Sequence, residues 1–229
     1  PLVGYAVARL APPAENAAGA AGAMWVGSTA RLAIGDEIFV RADAAVACTG
    51  SARWEAAHRR VRGRSTPQRL GGDDRPFFRV TGRGELFVAA PAGSAGRLVP
   101  LLLDDDSVYL REDRVLAFEG SVSWEYGHVP RGDLRMLQFR GRGVVAIRAI
   151  GEPGAVKVTP DKPLFAAAPH LLGWIGRVVA RGGPAGQDGG DGGDGGDGAA
   201  STTPAASPFG ITCEGEGVVL IDIAEGARS

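Results

Sequence analysis

Apolar positions along this chain come in short bursts that alternate with polar residues or run for four to seven positions, and the bursts end at glycine, proline or aspartate. Many of the apolar residues are β-branched or aromatic, so the pattern predicts strands separated by tight turns. Leu98 to Leu103 is one such burst. Helical spacing is poor everywhere. Only Ala52 to Val61 and Pro169 to Val179 predict a turn or two of helix. No apolar run approaches the ~20 residues that a membrane-spanning helix requires.

The bursts repeat. Asp36 to Glu55 lies over Asp106 to Glu125 at a fixed offset of 70, with eight identities: Asp36/Asp106, Arg41/Arg111, Asp43/Asp113, Ala47/Ala117, Gly50/Gly120, Ser51/Ser121, Trp54/Trp124 and Glu55/Glu125. Ile38/Val108, Phe39/Tyr109 and Val40/Leu110 are similar. A weaker third copy runs from Asp161 to Val178, with Leu171-Leu172-Gly173-Trp174 in the place of Val115-Leu116-Ala117-Phe118. Each copy leads to a Gly-x-Gly and an apolar stretch, at Gly82-Arg83-Gly84, Gly141-Arg142-Gly143 and Gly215-Glu216-Gly217. These glycines are expected at strand entries, as bulges or points of close backbone approach. Asp43-Ala44 and Glu112-Asp113 are expected at hairpin tips. Trp54 and Trp124, at matched positions, are expected to be equivalent core or rim anchors.

No single unit can bury a sheet alone. The expected architecture is therefore all-β: a sandwich- or prism-like single domain of three internal repeats around a pseudo-threefold axis. Repeats at about 32–88, 99–147 and 156–223 make up a domain spanning 32–223. An N-terminal strand or extension at 1–31 and a tail at 224–229 flank it. Residues 182–208, with the run Asp188-Gly189-Gly190-Asp191 and onward, read as a flexible glycine/aspartate-rich insertion, which costs little because loop-closure entropy grows slowly with length. The period of three and the lack of aliphatic residues rule out a calcium-binding nonapeptide repeat, and no EF-hand glutamate or helix pair is present.

Composition adds limits. The 229 residues carry a formal net charge of -1, so no global field draws the chain to nucleic acid or membrane. The two cysteines, Cys48 and Cys213, read as buried free thiols in a reducing compartment, and no Cys/His cluster has metal-ligand spacing. The expected location is the cytoplasm or the periphery of a membrane. The chain starts at Pro1 without a methionine or a signal-peptide pattern, and the expectation is that an upstream segment has been removed.

One charge cluster is marked. Arg59, Arg60, Arg62 and Arg64 lie within Arg53 to Arg69, where guanidinium groups could hold phosphates of RNA or anionic lipid, or simply face solvent. Arg131-Gly132-Asp133 is the integrin-type tripeptide, expected by accident in a chain of this composition. Asp104-Asp105-Asp106 could chelate a cation, although Asp36 matches Asp106 and suggests a turn role. No serine occupies a Gly-x-Ser-x-Gly elbow and no phosphate-binding Gly-Lys-Ser/Thr loop occurs. The expectation is a non-enzyme without cofactors.

The triplicated Asp-x-(Ile/Val)-(Phe/Tyr)-(Val/Leu)-Arg segment, the Gly-Ser that follows and the later Gly-x-Gly strand resemble the altered-inheritance-of-mitochondria, or mitochondrial biogenesis, family over residues 32–223. The closing Gly215-Glu216-Gly217-Val218-Val219-Leu220-Ile221 is similar to that family's last strand. The resemblance implies an all-β fold similar to that of the tryptophan RNA-binding attenuation protein and implies no catalytic residues. The arginine loop and the insertion depart from the family pattern. The functional expectation is an interaction or scaffolding module with an unidentified protein partner. Phosphate recognition through the arginine loop and a small ligand held between sheets are the alternatives, and self-association is expected from strand edges.

Overall fold

The computed structural model describes residues 24–26, 29–131, 133–182 and 210–223. The expectations for the N-terminal extension, the glycine/aspartate insertion and the tail fall on residues largely outside this set, as does Gly132 of the Arg-Gly-Asp triplet.

Three strand-rich segments follow one another. The first holds β1 (Met24–Val26), β2 (Thr29–Ile34), β3 (Glu37–Arg41), β4 (Ala45–Ala56), β5 (His58–Val61), β6 (Arg64–Arg69) and β7 (Phe77–Ala89). The second holds β8 (Arg97–Arg111), β9 (Val115–Glu119), β10 (Ser123–His128) and β11 (Arg135–Ala149). The third holds β12 (Glu152–Val158), β13 (Leu164–Ala166), β14 (Leu171–Gly182) and β15 (Ile211–Ile223). All strands but β5 and β6, which pair with each other, belong to one antiparallel sheet system. The chain is an all-β single domain. The two stretches with weak helical spacing are strands: Ala52–Val61 falls in β4 and β5, and Pro169–Val179 is the end of a 3₁₀ turn followed by β14. Ladder bonds to β7 and β15 satisfy the backbone there more fully than an isolated helical turn could.

Each segment contains a short 3₁₀ turn, at Ala42–Ala44, Glu112–Arg114 and Ala168–His170. The expected hairpin tips are these turns, and they are not hairpins. β3 and β4 both run antiparallel to β7, so they are parallel to each other and flank it. β8 and β9 flank β11 in the same way.

The Gly-x-Gly pairs stand mid-strand, not at strand entries. In β7 the pair marks where β3 (paired through Thr81) gives way to β2 (paired from Gly84) on one side, while β4 continues along the other. In β15 it separates β13 from β12. A Cβ on Gly84, at φ 146°, would lie 1.9 Å from the Thr49 carbonyl oxygen; one on Gly215 would lie 2.2 Å from that of Arg177. The expectation of close backbone approach holds there. In β11 the register shifts between Gly141 and Arg142.

Two seams join the segments. At the first, β3 pairs with β9 as Ile38↔Glu119, Phe39↔Phe118 and Val40↔Ala117. At the second, β8 pairs with β14 as Val108↔Ile175, Tyr109↔Trp174 and Leu110↔Gly173. Each carries a stacked aromatic pair: Phe39 on Phe118 at 4.7 Å and Tyr109 on Trp174 at 5.2 Å. Such pairs contribute ~0.5–1.5 kcal/mol beyond their buried area. The core lies behind the seams, with Phe77, Phe118, Leu137, Phe139, Leu172 and Leu220 in one cluster drawn from all three segments.

Two expectations fail in β4: the equivalence of Trp54 with Trp124 and the burial of Cys48. Trp124 is buried at 3 % exposure, but Trp54 is 40 % exposed and packs edge-on against Phe78. Cys213 is buried, but Cys48 is exposed. The reasons are local. For Cys48, β4 pairs among the described residues with β7 alone, whereas β9 and β14 each gain a second neighbour across a seam. Trp124 lies in β10, which also has one partner strand, and is buried by packing on Phe39 and Phe118, whereas Trp54 rests on Phe78.

Candidate functional site

The arginine cluster forms a β-hairpin. β5 and β6 meet at a two-residue turn in which Arg62 (φ 51°) and Gly63 (φ 74°) both take left-handed backbone, the geometry of a tight primed turn. Their N–H groups point together and donate to the two carboxylate oxygens of Glu125 in β10, each at 2.7 Å. Consecutive N–H groups in such a turn make an anion nest, and here the chain's own glutamate fills it.

The four cluster residues divide. The Arg59 guanidinium stacks over the Tyr126 ring at 4.3 Å and lies 3.7 Å from Glu112, with its side chain 16 % exposed. Arg60 sits over the Trp124 ring at 5.9 Å. Both hold the hairpin against the second segment by cation–π contact. Arg62 and Arg64 are exposed at the turn, and Arg53 and Arg69 are exposed on the strands that lead to and from it. Arg59 and Arg60 thus hold the hairpin to the second segment, while Arg60, Arg62 and Arg64 are all exposed.

A second group was not singled out from the sequence. Between the first two segments lies an open cavity of ≈ 510 Å³, lined by Arg41, Arg75, Arg111 and Arg135 against Asp74, Glu112, Asp113 and Asp133. The matched arginines at its edge have structural duties. Arg41, 1 % exposed, donates from Nε to Asp43 at 2.6 Å and from Nη1 to the Asp113 carbonyl at 2.8 Å. Arg111 repeats the device: it grips Asp113 at 2.9 and 2.8 Å and donates to the Ala168 carbonyl. Each arginine is fixed by the aspartate two residues on and reaches into the 3₁₀ turn of the next segment. The identities Arg41/Arg111 and Asp43/Asp113 were the available signal for this clasp. Arg114 adds a bond to the Pro169 carbonyl at 2.8 Å and an ion pair with buried Asp222 at 3.5 Å. Burial pushes the Arg114 and Arg148 guanidinium groups below their ordinary pKa.

The remaining candidates are accounted for locally. Arg142 bridges Asp104 at 2.8 Å and Asp105 at 3.1 Å across the bulge in β8 and β11. Among the described residues no group of three or more His, Cys, Asp or Glu side chains is placed to hold a metal. Burial pushes the Cys213 thiol from its ordinary 9.0 up to about 11. A cleft of ≈ 160 Å³ beside Tyr109, Tyr126 and Trp174 is smaller than the ~300 Å³ at which small-molecule pockets usually begin. No described helix is long and apolar enough to cross a membrane.

The family model for mitochondrial biogenesis AIM24 matches residues 27–222, a span that includes every seam, clasp and Gly-x-Gly strand described above. The chain belongs to this family. No curated protein matches the sequence. Among solved structures, an X-ray crystal structure of a Streptococcus pyogenes protein from a structural genomics programme is similar, with a TM-score of 0.57 and 15% identity. That similarity covers 85% of this chain and 87% of the other. At that identity the likeness speaks for the fold alone. The AIM24 chain described here combines a family body with an arginine hairpin docked on its second segment.

Proposed function

We propose that this AIM24-family chain is a non-enzymatic interaction module and that the arginine hairpin is the surface it offers to an acidic partner protein. The observation that supports this is the way the hairpin is held. Glu125 fixes the turn, Arg59 and Arg60 pin the strands on Tyr126 and Trp124, and the guanidinium groups of Arg62 and Arg64 are left facing solvent. The backbone that carries these arginines is already ordered, so meeting carboxylates costs only the side chains' own rotamer freedom. Phosphate recognition, of RNA or anionic lipid, rests on the same side chains. It is the weaker reading, because the backbone nest best suited to a phosphate is already filled by Glu125.

The test is affinity capture from nuclease-treated native lysate, comparing the wild type with the double variant Arg62→Glu/Arg64→Glu. Both positions are exposed, so the fold is expected to survive. A protein held stoichiometrically by the wild type and lost by the variant supports the reading. Equal retention by both moves the surface elsewhere. Lipid or nucleic acid carried by the wild type alone, with steep salt sensitivity, replaces the acidic partner by a phosphate ligand.

A further inference from the structure

The two internal seams have the same register. Position by position, Ile38, Phe39 and Val40 correspond to Val108, Tyr109 and Leu110 at the offset of 70, and Ala117, Phe118 and Glu119 correspond to Gly173, Trp174 and Ile175 at an offset of 56. The pairs Phe39↔Phe118 and Tyr109↔Trp174 are therefore equivalent, and both are stacked. A seam in this protein has two halves. One is an edge of the Ile-Phe-Val type, and the other is the strand that follows a 3₁₀ turn.

One copy of each half is left over. β13 (Leu164–Ala166) stands at the offset of 56 from Val108–Leu110 and, like β8, pairs antiparallel with the last strand of its segment, yet nothing pairs with its other edge among the described residues. β4 follows the first 3₁₀ turn as β9 and β14 follow the second and third, and among the described residues nothing pairs with its outer edge from Ala45 to Thr49. The exposures record the missing neighbour. Val46 is 63 % exposed where its counterparts Leu116 and Leu172 are both 0 %, and Phe165 is 38 % exposed. Cys48 is exposed in the place of Phe118 and Trp174. No strand of the first segment pairs with a strand of the third among the described residues, so the chain is open at both ends.

We infer that β13 of one chain adds to β4 of a second copy, continuing the sheet with a third seam in the register of the first two. That register sets Leu164 opposite Thr49, Phe165 opposite Cys48 and Ala166 opposite Ala47. The contact is head-to-tail, because the two halves are different surfaces. Repetition closes a ring if the rotation permits and otherwise extends a filament. It covers two open edges that would otherwise be free to pair with unrelated strands. It is also weaker than the internal seams. Ala167 stands where Arg41 and Arg111 stand, so this seam lacks the arginine clasp, and association is expected to be reversible.

Cross-linking and mass measurements on the full chain test this. Residues directly opposite in an antiparallel pair lie ~4.5–5.5 Å apart at Cα, within reach of a disulfide. Phe165→Cys, treated with a mild added oxidant, is expected to give covalent dimers and a ladder of higher multimers joined Cys48 to position 165. The wild type, whose exposed thiol is Cys48, stops at dimers. By light scattering, wild-type mass is expected to rise with concentration, Val46→Glu/Phe165→Glu to stay monomeric, and Ala167→Arg to shift the transition several-fold lower in concentration. Three results overturn the proposal: a concentration-independent monomer in the wild type, multimers unaffected by the glutamate pair, or a Phe165→Cys chain that loses both thiols while remaining monomeric. These readouts are independent of the arginine hairpin.

Discussion

At Gly84 a single hydrogen atom stands where any other residue would carry a carbon. The Thr49 carbonyl occupies that space, and because it belongs to the backbone of a paired strand it cannot swing away. Gly84→Ala is expected to cost roughly 2–4 kcal/mol, read as a lower urea midpoint with an unchanged slope. The cysteines give a second test at this scale. A thiol reagent at neutral pH is expected to modify Cys48 in the folded chain and Cys213 only after unfolding. Cys213 also ties stability to alkaline pH. Its folded pKa of about 11 exceeds the ordinary 9.0, so its contribution is fully present below pH 9 and is lost as pH rises towards 11. That loss is on the order of 2 kcal/mol, and Cys213→Ala should remove it from the pH profile of the melting temperature.

Among the elements, the β5–β6 hairpin depends on a strand from another segment. Glu125→Ala hands the exposed N–H groups of Arg62 and Gly63 over to water and should cost about 0.5–1.5 kcal/mol. The loss is local, so limited proteolysis at Arg62 and Arg64 should accelerate more than global stability falls. The hairpin also shows what the sequence made legible. The arginine cluster could be seen directly, but its hairpin could not, because His58–Val61 and Arg64–Arg69 are mostly polar and carry no strand alternation. That Arg59 and Arg60 serve aromatic rings of the second segment could not be seen, because the contacts span more than sixty residues. The strand bursts and the identities at offset 70 located the elements. They did not reveal that β3 and β4 flank a third strand, since a 3₁₀ turn and a hairpin draw on the same residues.

For the whole molecule, stability concentrates where segments meet. Asp222, 3 % exposed, accepts from the Ile150 and Gly151 N–H groups at 2.8 and 2.7 Å and pairs with Arg114, which ties the third segment to the second. Arg114→Met leaves that carboxylate buried without its counter-charge, and ~3–5 kcal/mol of destabilisation is expected by denaturant titration. Arg41→Met is expected to cost less, ~1.5–3 kcal/mol, because its partner Asp43 can turn to water. Cys48 was misjudged from sequence because matched residues share an environment only when their strands share neighbours. Trp54 is not the equivalent of Trp124 because only Trp124 packs on the aromatic pair of the first seam.

The Gly-x-Gly pairs have a consequence for error during folding. A strand of thirteen residues with apolar positions throughout, such as β15, could pair with β14 in several ways that bury similar area. Sliding it by two residues keeps every side chain on its own face, which hydrophobicity alone does not penalise. Slid one way, however, it carries Cys213 into the gap now held by Gly215, against the Arg177 carbonyl, and slid the other way it carries Val219 into the gap now held by Gly217, against the Ile175 carbonyl. The glycines thus act as a ruler laid into the sheet, and they penalise misalignments that the apolar pattern would tolerate.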